Sequence, residues 1–196
     1  MVRREFLSRF FWGGVGLFLP GTSVLRAQDG SEAIRPPGSL TESDFLAACV
    51  RCSECIKVCP AKCLKPMKWG GGFSSWETPE IVPREAGCIR CLSCGRVCPT
   101  EAITRVPVEV VKMGTAFINR ELCLVWTEQK ECLVCKEYCP VGAVYTDAAG
   151  RPIVNPAVCV GCGLCEENCP VIGNPAAIRV STKGGKRYHL KTKTYF

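Results

Sequence analysis

The chain has 196 residues and a formal net charge of +7, and its 17 cysteines outnumber its 8 Phe, 4 Tyr and 4 Trp residues. This cysteine content restricts the class to a disulfide scaffold, a zinc protein or an iron–sulfur protein. No DNA-binding motif or alternation of basic and aromatic residues accompanies the positive charge, so nucleic acid is excluded as the expected partner. With 19 Gly and 14 Pro, the chain predicts a small apolar core that bound metal would stabilise.

Residues 1–27 have the features of an export signal. The pair Arg3-Arg4 is followed by an uninterrupted apolar run from Phe10 to Leu19, which is too short to span a bilayer easily but suits a signal peptide. The start resembles the twin-arginine (Tat) signal, with departures on both sides of the arginine pair. This resemblance implies export of a folded protein to the periplasm or the outer face of the cytoplasmic membrane. The weak cleavage site at Ala27 leaves open an uncleaved anchor.

Four copies of one cysteine pattern occupy the rest of the chain. Three read C-x2-C-x2-C-x3-C-P, and the third copy replaces the first x2 by x8. Three closely spaced thiolates match three iron corners of a [4Fe–4S] cubane, and in two-cluster bacterial ferredoxins the last cysteine ligates the other cluster. Four units that each end in Cys-Pro favour four such clusters over zinc knuckles or disulfides. The predicted ligands are Cys49, Cys52, Cys55, Cys59, Cys88, Cys91, Cys94, Cys98, Cys123, Cys132, Cys135, Cys139, Cys159, Cys162, Cys165 and Cys169.

Two pairings of the motifs fit this pattern. Sequential pairing joins the first motif with the second and the third with the fourth. Nested pairing joins the second motif with the third and the first with the fourth. We favour sequential pairing, although residues 43–48 before the first motif look helical rather than strand-like, which counts somewhat against it. Sequential pairing predicts site A (Cys49, Cys52, Cys55, Cys98), site B (Cys88, Cys91, Cys94, Cys59), site C (Cys123, Cys132, Cys135, Cys169) and site D (Cys159, Cys162, Cys165, Cys139).

The repeat also explains the seventeenth cysteine, Cys63. Aligned on the Cys-Pro pairs, Cys63 occupies the slot that Ala102 and Ala143 hold in the second and third units. That slot requires a small residue, and a free cysteine behaves as a small hydrophobe. We therefore expect Cys63 to pack in the core rather than to act as a spare ligand or a reactive thiol.

Between the motifs the sequence predicts an α+β fold of tandem bacterial-ferredoxin-like units with small hairpins and short helices. Strands are expected at 115–119 and 177–180, and a hairpin at 143–146 and 152–155. One-turn or two-turn helices are expected after the cysteine loops, for example at 60–64. The predicted organisation is a twin-arginine-like signal or anchor (1–27), a linker (28–40), a first ferredoxin-like unit (41–107), a second unit (108–181) and a basic tail (182–196).

Two further segments have more than one interpretation. Residues 64–87 contain Trp69 and Trp76, and this loop is either a docking surface for a redox partner or a lid over a cluster. The tail is either solvated or attracted to an acidic partner or membrane surface. The only histidine, His189, is expected to be solvated there.

Residues 39–181 resemble the ferredoxin-type proteins of the periplasmic nitrate-reductase and methylamine-utilisation clusters (NapG/MauM type). The segments CLVCKEYCPVGAV and CVGCGLCEENCPV carry this resemblance. The second motif departs from the family in the short gap between its second and third cysteines, which leaves open another respiratory or corrinoid-linked system. The resemblance implies a role in passing electrons from a membrane quinol-oxidising protein to an exported, periplasmic reductase, or in helping such an enzyme to mature.

The sequence does not predict an enzyme. It contains no nucleophile–base pair, no phosphate-binding loop and no metal site with an open position. We expect an electron-transfer protein, or a non-catalytic subunit of an oxidoreductase, that relays single electrons through four [4Fe–4S] clusters. Membrane association would come through a partner or an uncleaved N-terminus. The clusters with their thiolates would add about −2 each, so that the formal charge of +7 would mostly offset them.

Overall fold

The computed structural model describes residues 33–68, 73–171, 173 and 175–189, and all of them belong to one compact unit. The predicted export signal and Trp69 lie outside these residues. Within the described ranges, no helix has the length and apolar character needed to cross a membrane. The fold consists of short helices and two-stranded sheets arranged around the cysteine motifs, in agreement with the predicted α+β class.

Among its described residues, the first half of the fold contains three helices and one hairpin. In this hairpin β1 (Leu64–Pro66) pairs antiparallel with β2 (Pro79–Ile81), so that Leu64 lies opposite Ile81. An isolated antiparallel bridge from Ser39 to Ile103 joins the start of this half to its end. The elements are α1 (Glu42–Ala48), α2 (Glu54–Lys57), β1 (Leu64–Pro66), β2 (Pro79–Ile81) and α3 (Ser93–Val97).

The second half contains two strand pairs. β3 (Thr115–Ile118) pairs antiparallel with β6 (Ile178–Ser181), and Ala116 lies opposite Val180. β4 (Val144–Thr146) and β5 (Pro152–Val154) form the predicted hairpin, in which Val144 lies opposite Val154. After a 3-10 turn at Val108–Val110, the elements are β3 (Thr115–Ile118), α4 (Val134–Glu137), β4 (Val144–Thr146), β5 (Pro152–Val154), α5 (Leu164–Glu167) and β6 (Ile178–Ser181). The predicted strands at 115–119 and 177–180 are therefore confirmed to within a residue.

Each cysteine motif contains one short helix, between its second and fourth cysteines. In the second motif the helix ends at Val97, and Cys98 is extended, with φ −72° and ψ 112°. The following Pro99 explains this end, because the residue before a proline is disfavoured in the helical region. The expected helix at 60–64 is wrong: this stretch is a turn that leads into β1. In the second motif the proline therefore ends the helix directly before the fourth cysteine.

The core is divided between the two halves. The larger part contains Phe45 and Leu40 with several buried cysteines. The smaller part contains Ala143, Val144 and Ile178 around further cysteines. Sulfur atoms thus take places that large apolar side chains would fill in an ordinary domain, as the low aromatic content predicts.

The described part of the predicted linker, 33–40, is not a linker, and this prediction is corrected. Arg35 in this segment is fully buried and donates from Nη1 to Thr78 Oγ1 at 2.8 Å and to the Pro79 carbonyl at 2.9 Å. Its Nη2 forms an ion pair with Glu42 at 2.5 Å. A buried guanidinium is tolerated only when its donors are satisfied, so these contacts dock the segment against β2 and α1.

The structure also contains a hairpin that the sequence did not predict. β1 and β2 lie within residues 64–87. Arg51 of the first motif donates to the carbonyls of Trp76 and Ser74, at 2.9 and 2.7 Å. This anchoring places the described part of the tryptophan loop beside the first cysteine motif, with the Phe73 side chain exposed.

The basic tail returns to the first half as far as it is described. The backbone amide of Thr41 donates to the Tyr188 carbonyl at 2.7 Å, and Leu40 forms a parallel bridge with Tyr188. His189 is 85% exposed, with Nδ1 3.7 Å from Asp44 Oδ2. The solvated position expected for this histidine is confirmed, whereas the residues just before it pair with the body of the protein.

Candidate metal centres

The sixteen predicted ligands gather into four cavities of four cysteines each, in the sequential pairing. The four cavities are similar in size. In every case three cysteines come from one motif, and the fourth comes from the motif paired with it. None of these four cavities contains cysteines from both the second and the third motif, as nested pairing would require. The structure brings together site A (Cys49, Cys52, Cys55, Cys98), site B (Cys88, Cys91, Cys94, Cys59), site C (Cys123, Cys132, Cys135, Cys169) and site D (Cys159, Cys162, Cys165, Cys139).

Left-handed backbone conformations shape the cysteine loops. In the second motif, Arg90 and Leu92 flank Cys91 with φ of 60° and 59°. The turn at Arg90 aims its backbone amide at the sulfur of Cys88, at 3.4 Å. The loop therefore supplies a hydrogen-bond donor to a ligand sulfur, which stabilises a thiolate.

The turns after the first three Cys-Pro pairs have a related geometry. Lys62, Glu101 and Gly142 occupy the same place in the first three units, with φ of 53°, 57° and 65°. In the third unit this turn aims the Ala143 amide at Cys139 Sγ, at 3.1 Å. Cys139, the fourth cysteine of the third motif, lines the cavity of site D.

The donor set fits [4Fe–4S] clusters better than single metal ions or disulfides. None of the 17 cysteines is in a disulfide. In the described residues, no group of three or more His, Cys, Asp or Glu side chains is placed to hold one metal ion. Four thiols lie instead around each apolar space, as a cluster with four iron corners requires. The four thiols around each cavity are therefore the donor set that the spacing predicts for a cubane.

The electrostatics of the cavities favour a positively charged occupant. Burial, followed by the charge of neighbouring thiolates, raises the pKa of Cys55, Cys94 and Cys135 to about 12. The same causes raise the pKa of Cys165. A buried thiolate is unfavourable without a counter-charge, and thiolate ligands bind metal in the deprotonated form. Iron at the centre of each cavity would supply the missing positive charge.

Site B contains a fifth cysteine, Cys63. Its side chain is 2% exposed, like those of Ala102 and Ala143 in the equivalent slots, so the expected packing is confirmed. Its Sγ lies 3.5 Å from Cys59 Sγ. A hydrogen bond from Cys63, the largest influence, holds the pKa of Cys88 below its ordinary value.

The four sites differ in burial. Three of the four cysteines in site D and two in site B are buried, whereas site C has none. Site A contains Cys52, the one exposed cysteine of the sixteen. Sites B and D are therefore internal, and sites A and C are closer to the surface.

Sites B and D also meet directly. The backbone amide of Cys88 donates to the Cys162 carbonyl at 2.7 Å. The preceding residue, Gly87, lies so close to Leu164 that a Cβ on it would come within 2.6 Å of the Leu164 backbone nitrogen. The two inner cysteine loops are thus in backbone contact.

Arg84 secures this contact. Its guanidinium donates to the carbonyls of Glu166, Cys169 and Val171, at 2.9, 2.9 and 2.7 Å. Sequence reasoning missed this residue, because nothing in the spacing around Arg84 relates it to a motif some eighty residues further along the chain. We call residues 83–88, with the fourth-motif segment that they contact, the junction.

Comparison with known proteins agrees with the cysteine chemistry. The family described as "4Fe-4S binding domain" matches residues 152–171. A methylamine utilization ferredoxin-type protein, MauM, from Paracoccus denitrificans is 40% identical over 76% of this chain and 71% of its own length. MauM from Methylorubrum extorquens is 40% identical over 84% of this chain and 80% of its own length. The ferredoxin-type protein NapG from Escherichia coli is 33% identical over 89% of this chain and 83% of its own length.

Proposed function

Because the chain belongs to the family of ferredoxin-type proteins that includes MauM and NapG, we propose that it is an electron-transfer protein that binds four [4Fe–4S] clusters. The observation that carries this proposal is the gathering of sixteen cysteines into four cavities of four. When bound, each cluster accepts and returns one electron at a potential that the protein tunes. The residues of this chain hold, separate and shield the clusters.

We infer that the chain is built from two tandem ferredoxin-like units. In the second half, β3–β6 and the β4–β5 hairpin frame sites C and D. In the first half, β1–β2 and the Ser39–Ile103 bridge occupy the corresponding places around sites A and B. The similarity of these contacts supports the inference. The first half has the single Ser39–Ile103 bridge where the second half has the strand pair β3–β6.

The burial of the sites suggests their order in a relay. Sites B and D are internal and adjacent across the junction, whereas sites A and C are closer to the surface. Electrons pass most readily between neighbouring clusters, so we propose that they move through the sites in the order A–B–D–C. Site A, beside the exposed Cys52, and site C would then face the external donor and acceptor.

The proposed partners are a membrane quinol-oxidising protein and a periplasmic reductase. The proposal includes export, because the first residues resemble a twin-arginine signal and that route carries folded proteins. Clusters built before export would reach the outer compartment intact, whereas unfolded cysteines there would form disulfides. A tagged full-length chain is expected in the periplasmic or membrane fraction, and a wholly cytoplasmic product contradicts export.

Iron analysis of cysteine variants tests both the clusters and their pairing. Anaerobically purified protein is expected to hold about sixteen irons, four per site, and to show EPR signals that are reversible in a redox titration. The double variant C49A/C98A removes two ligands of site A and is expected to lose about four irons. The matched double variant C49A/C59A affects sites A and B and is expected to lose about eight.

Two results would contradict the proposal. Fewer than about twelve irons in the unaltered protein would rule out four clusters. If C49A/C98A lost as much iron as C49A/C59A, the cysteines of the first two motifs would not share sites as the structure places them.

A further inference from the structure

Cys63 lies outside every ligand set, yet the structure places it inside site B. Its side chain lines the same cavity as Cys59, Cys88, Cys91 and Cys94. It is also 2% exposed, so water does not compete for its thiol. Two ligand sulfurs of site B are its partners: Cys59 Sγ, at 3.5 Å, and the thiol of Cys88, with which Cys63 also hydrogen-bonds.

The direction of this hydrogen bond follows from metal ligation. A cysteine that binds iron does so as a thiolate and carries no proton. Once Cys59 and Cys88 are ligands, the only proton among the three sulfur atoms belongs to Cys63. The Cys63 thiol is then the donor, and the ligand sulfur is the acceptor.

The equivalent slots in the second and third units hold no such donor. Ala102 and Ala143 occupy them, at 1% and 0% exposure. In site A, a hydroxyl lies near a ligand sulfur, with Thr100 Oγ1 3.7 Å from Cys98 Sγ. Thr100 is only half-buried, so water competes for its hydroxyl. Cys63 is thus the only buried side-chain donor among these equivalent slots.

We propose that Cys63 is a positioning residue whose thiol donates a hydrogen bond to a ligand sulfur of site B and raises the reduction potential of the cluster bound there. The proposal rests on the electron-transfer function given above. Reduction adds negative charge to the cluster and its sulfurs, and a hydrogen-bond donor stabilises that more negative state. The cluster at site B would therefore be reduced more easily than it would be with alanine at position 63.

The test compares C63A with C63S in the full-length, anaerobically purified protein. C63A removes the donor and installs the residue that the other two repeats use, so folding and iron content are expected to stay at the level of the unaltered protein. C63S keeps a donor at the same place. The measurements are iron content and the four reduction potentials from an EPR redox titration, in which the other three clusters serve as internal controls.

The expected result is a more negative potential for one cluster in C63A, with the other three unchanged, and a potential near the original value in C63S. A purely structural role for Cys63 would leave all four potentials in place, and this outcome overturns the proposal. Loss of about four irons in C63A would also overturn it, because Cys63 would then be a ligand. If the unaltered protein showed no reducible clusters, the electron-transfer function itself would be wrong. This result differs from unchanged potentials in C63A, which would contradict only the role of Cys63.

Discussion

Single residues in the cysteine loops show why one repeat uses glycine where another does not. Gly161 has φ +68°, and the equivalent Arg51 and Arg90 have φ of 56° and 60°. The left-handed conformation therefore does not by itself demand glycine in these loops. A Cβ on Gly161, however, would lie 2.5 Å from the backbone nitrogen of Gly114. Glycine at 161 is required by the close approach of the segment before β3.

We expect G161A to destabilise site D. The added methyl group meets backbone atoms that cannot move without shifting β3, and overpacking of this kind costs about 1–3 kcal/mol. The matched control is G142A, because Gly142 has φ +65° and a Cβ added to it would meet nothing within 4 Å. Thermal loss of the visible cluster absorbance, measured anaerobically, is expected at lower temperature in G161A than in G142A. Equal midpoints would show that the contact with Gly114 does not constrain the loop.

The elements of this fold are too short to be stable alone. The helices within the motifs have four or five residues and the strands three or four, below the length at which isolated helices or hairpins persist in water. Their positions depend on contacts with one another and on the cysteines. The junction is the clearest example, since one arginine joins elements from both halves.

We expect R84A to weaken the junction. Three carbonyls would lose a shared donor, and each buried acceptor left unpaired costs about 1–3 kcal/mol, less where water enters. The control is R105A, because Arg105 is exposed and makes one bond of 3.3 Å to the Arg96 carbonyl. The measurement is the midpoint of anaerobic thermal bleaching, with the magnetic interaction between reduced clusters as a second readout. Identical behaviour of the two variants would contradict the role assigned to Arg84.

Element by element, the sequence was a good guide only where patterns were local. The strand-like runs at 115–119, 143–146, 152–155 and 177–180 predicted β3, β4, β5 and β6. The β1–β2 hairpin was missed because each strand is three residues long and contains a proline, Pro66 or Pro79, a residue depleted in strands. Short helices were expected after the cysteine loops, whereas they lie within the motifs and end before the fourth cysteine.

At the scale of the whole molecule, cysteines supply much of the core. In the smaller core cluster, two buried cysteines stand beside only four buried apolar residues, Ala116, Ala143, Val144 and Ile178. Such a core buries too little apolar surface to offset the conformational entropy of the chain. Cluster binding would supply the remaining folding free energy.

We therefore expect removal of iron and sulfide by an anaerobic chelator to unfold the protein. Far-UV circular dichroism is the measurement, and loss of the native spectrum together with the cooperative thermal transition is the expected result. Reconstitution with iron, sulfide and reductant is the control and should restore both. An apo-protein that kept its spectrum and melted cooperatively would show that side-chain packing alone maintains the fold.

The sequence by itself determined the chemistry of this protein: sixteen cysteines in four repeats and the odd position of Cys63. These features are readable because cluster ligation imposes a short, fixed spacing that is visible along the chain. Tertiary structure decided what depends on segments far apart in sequence. It selected sequential pairing, docked residues 33–40 through Arg35, and joined sites B and D through Arg84, because such contacts depend on distances in space that no local pattern encodes.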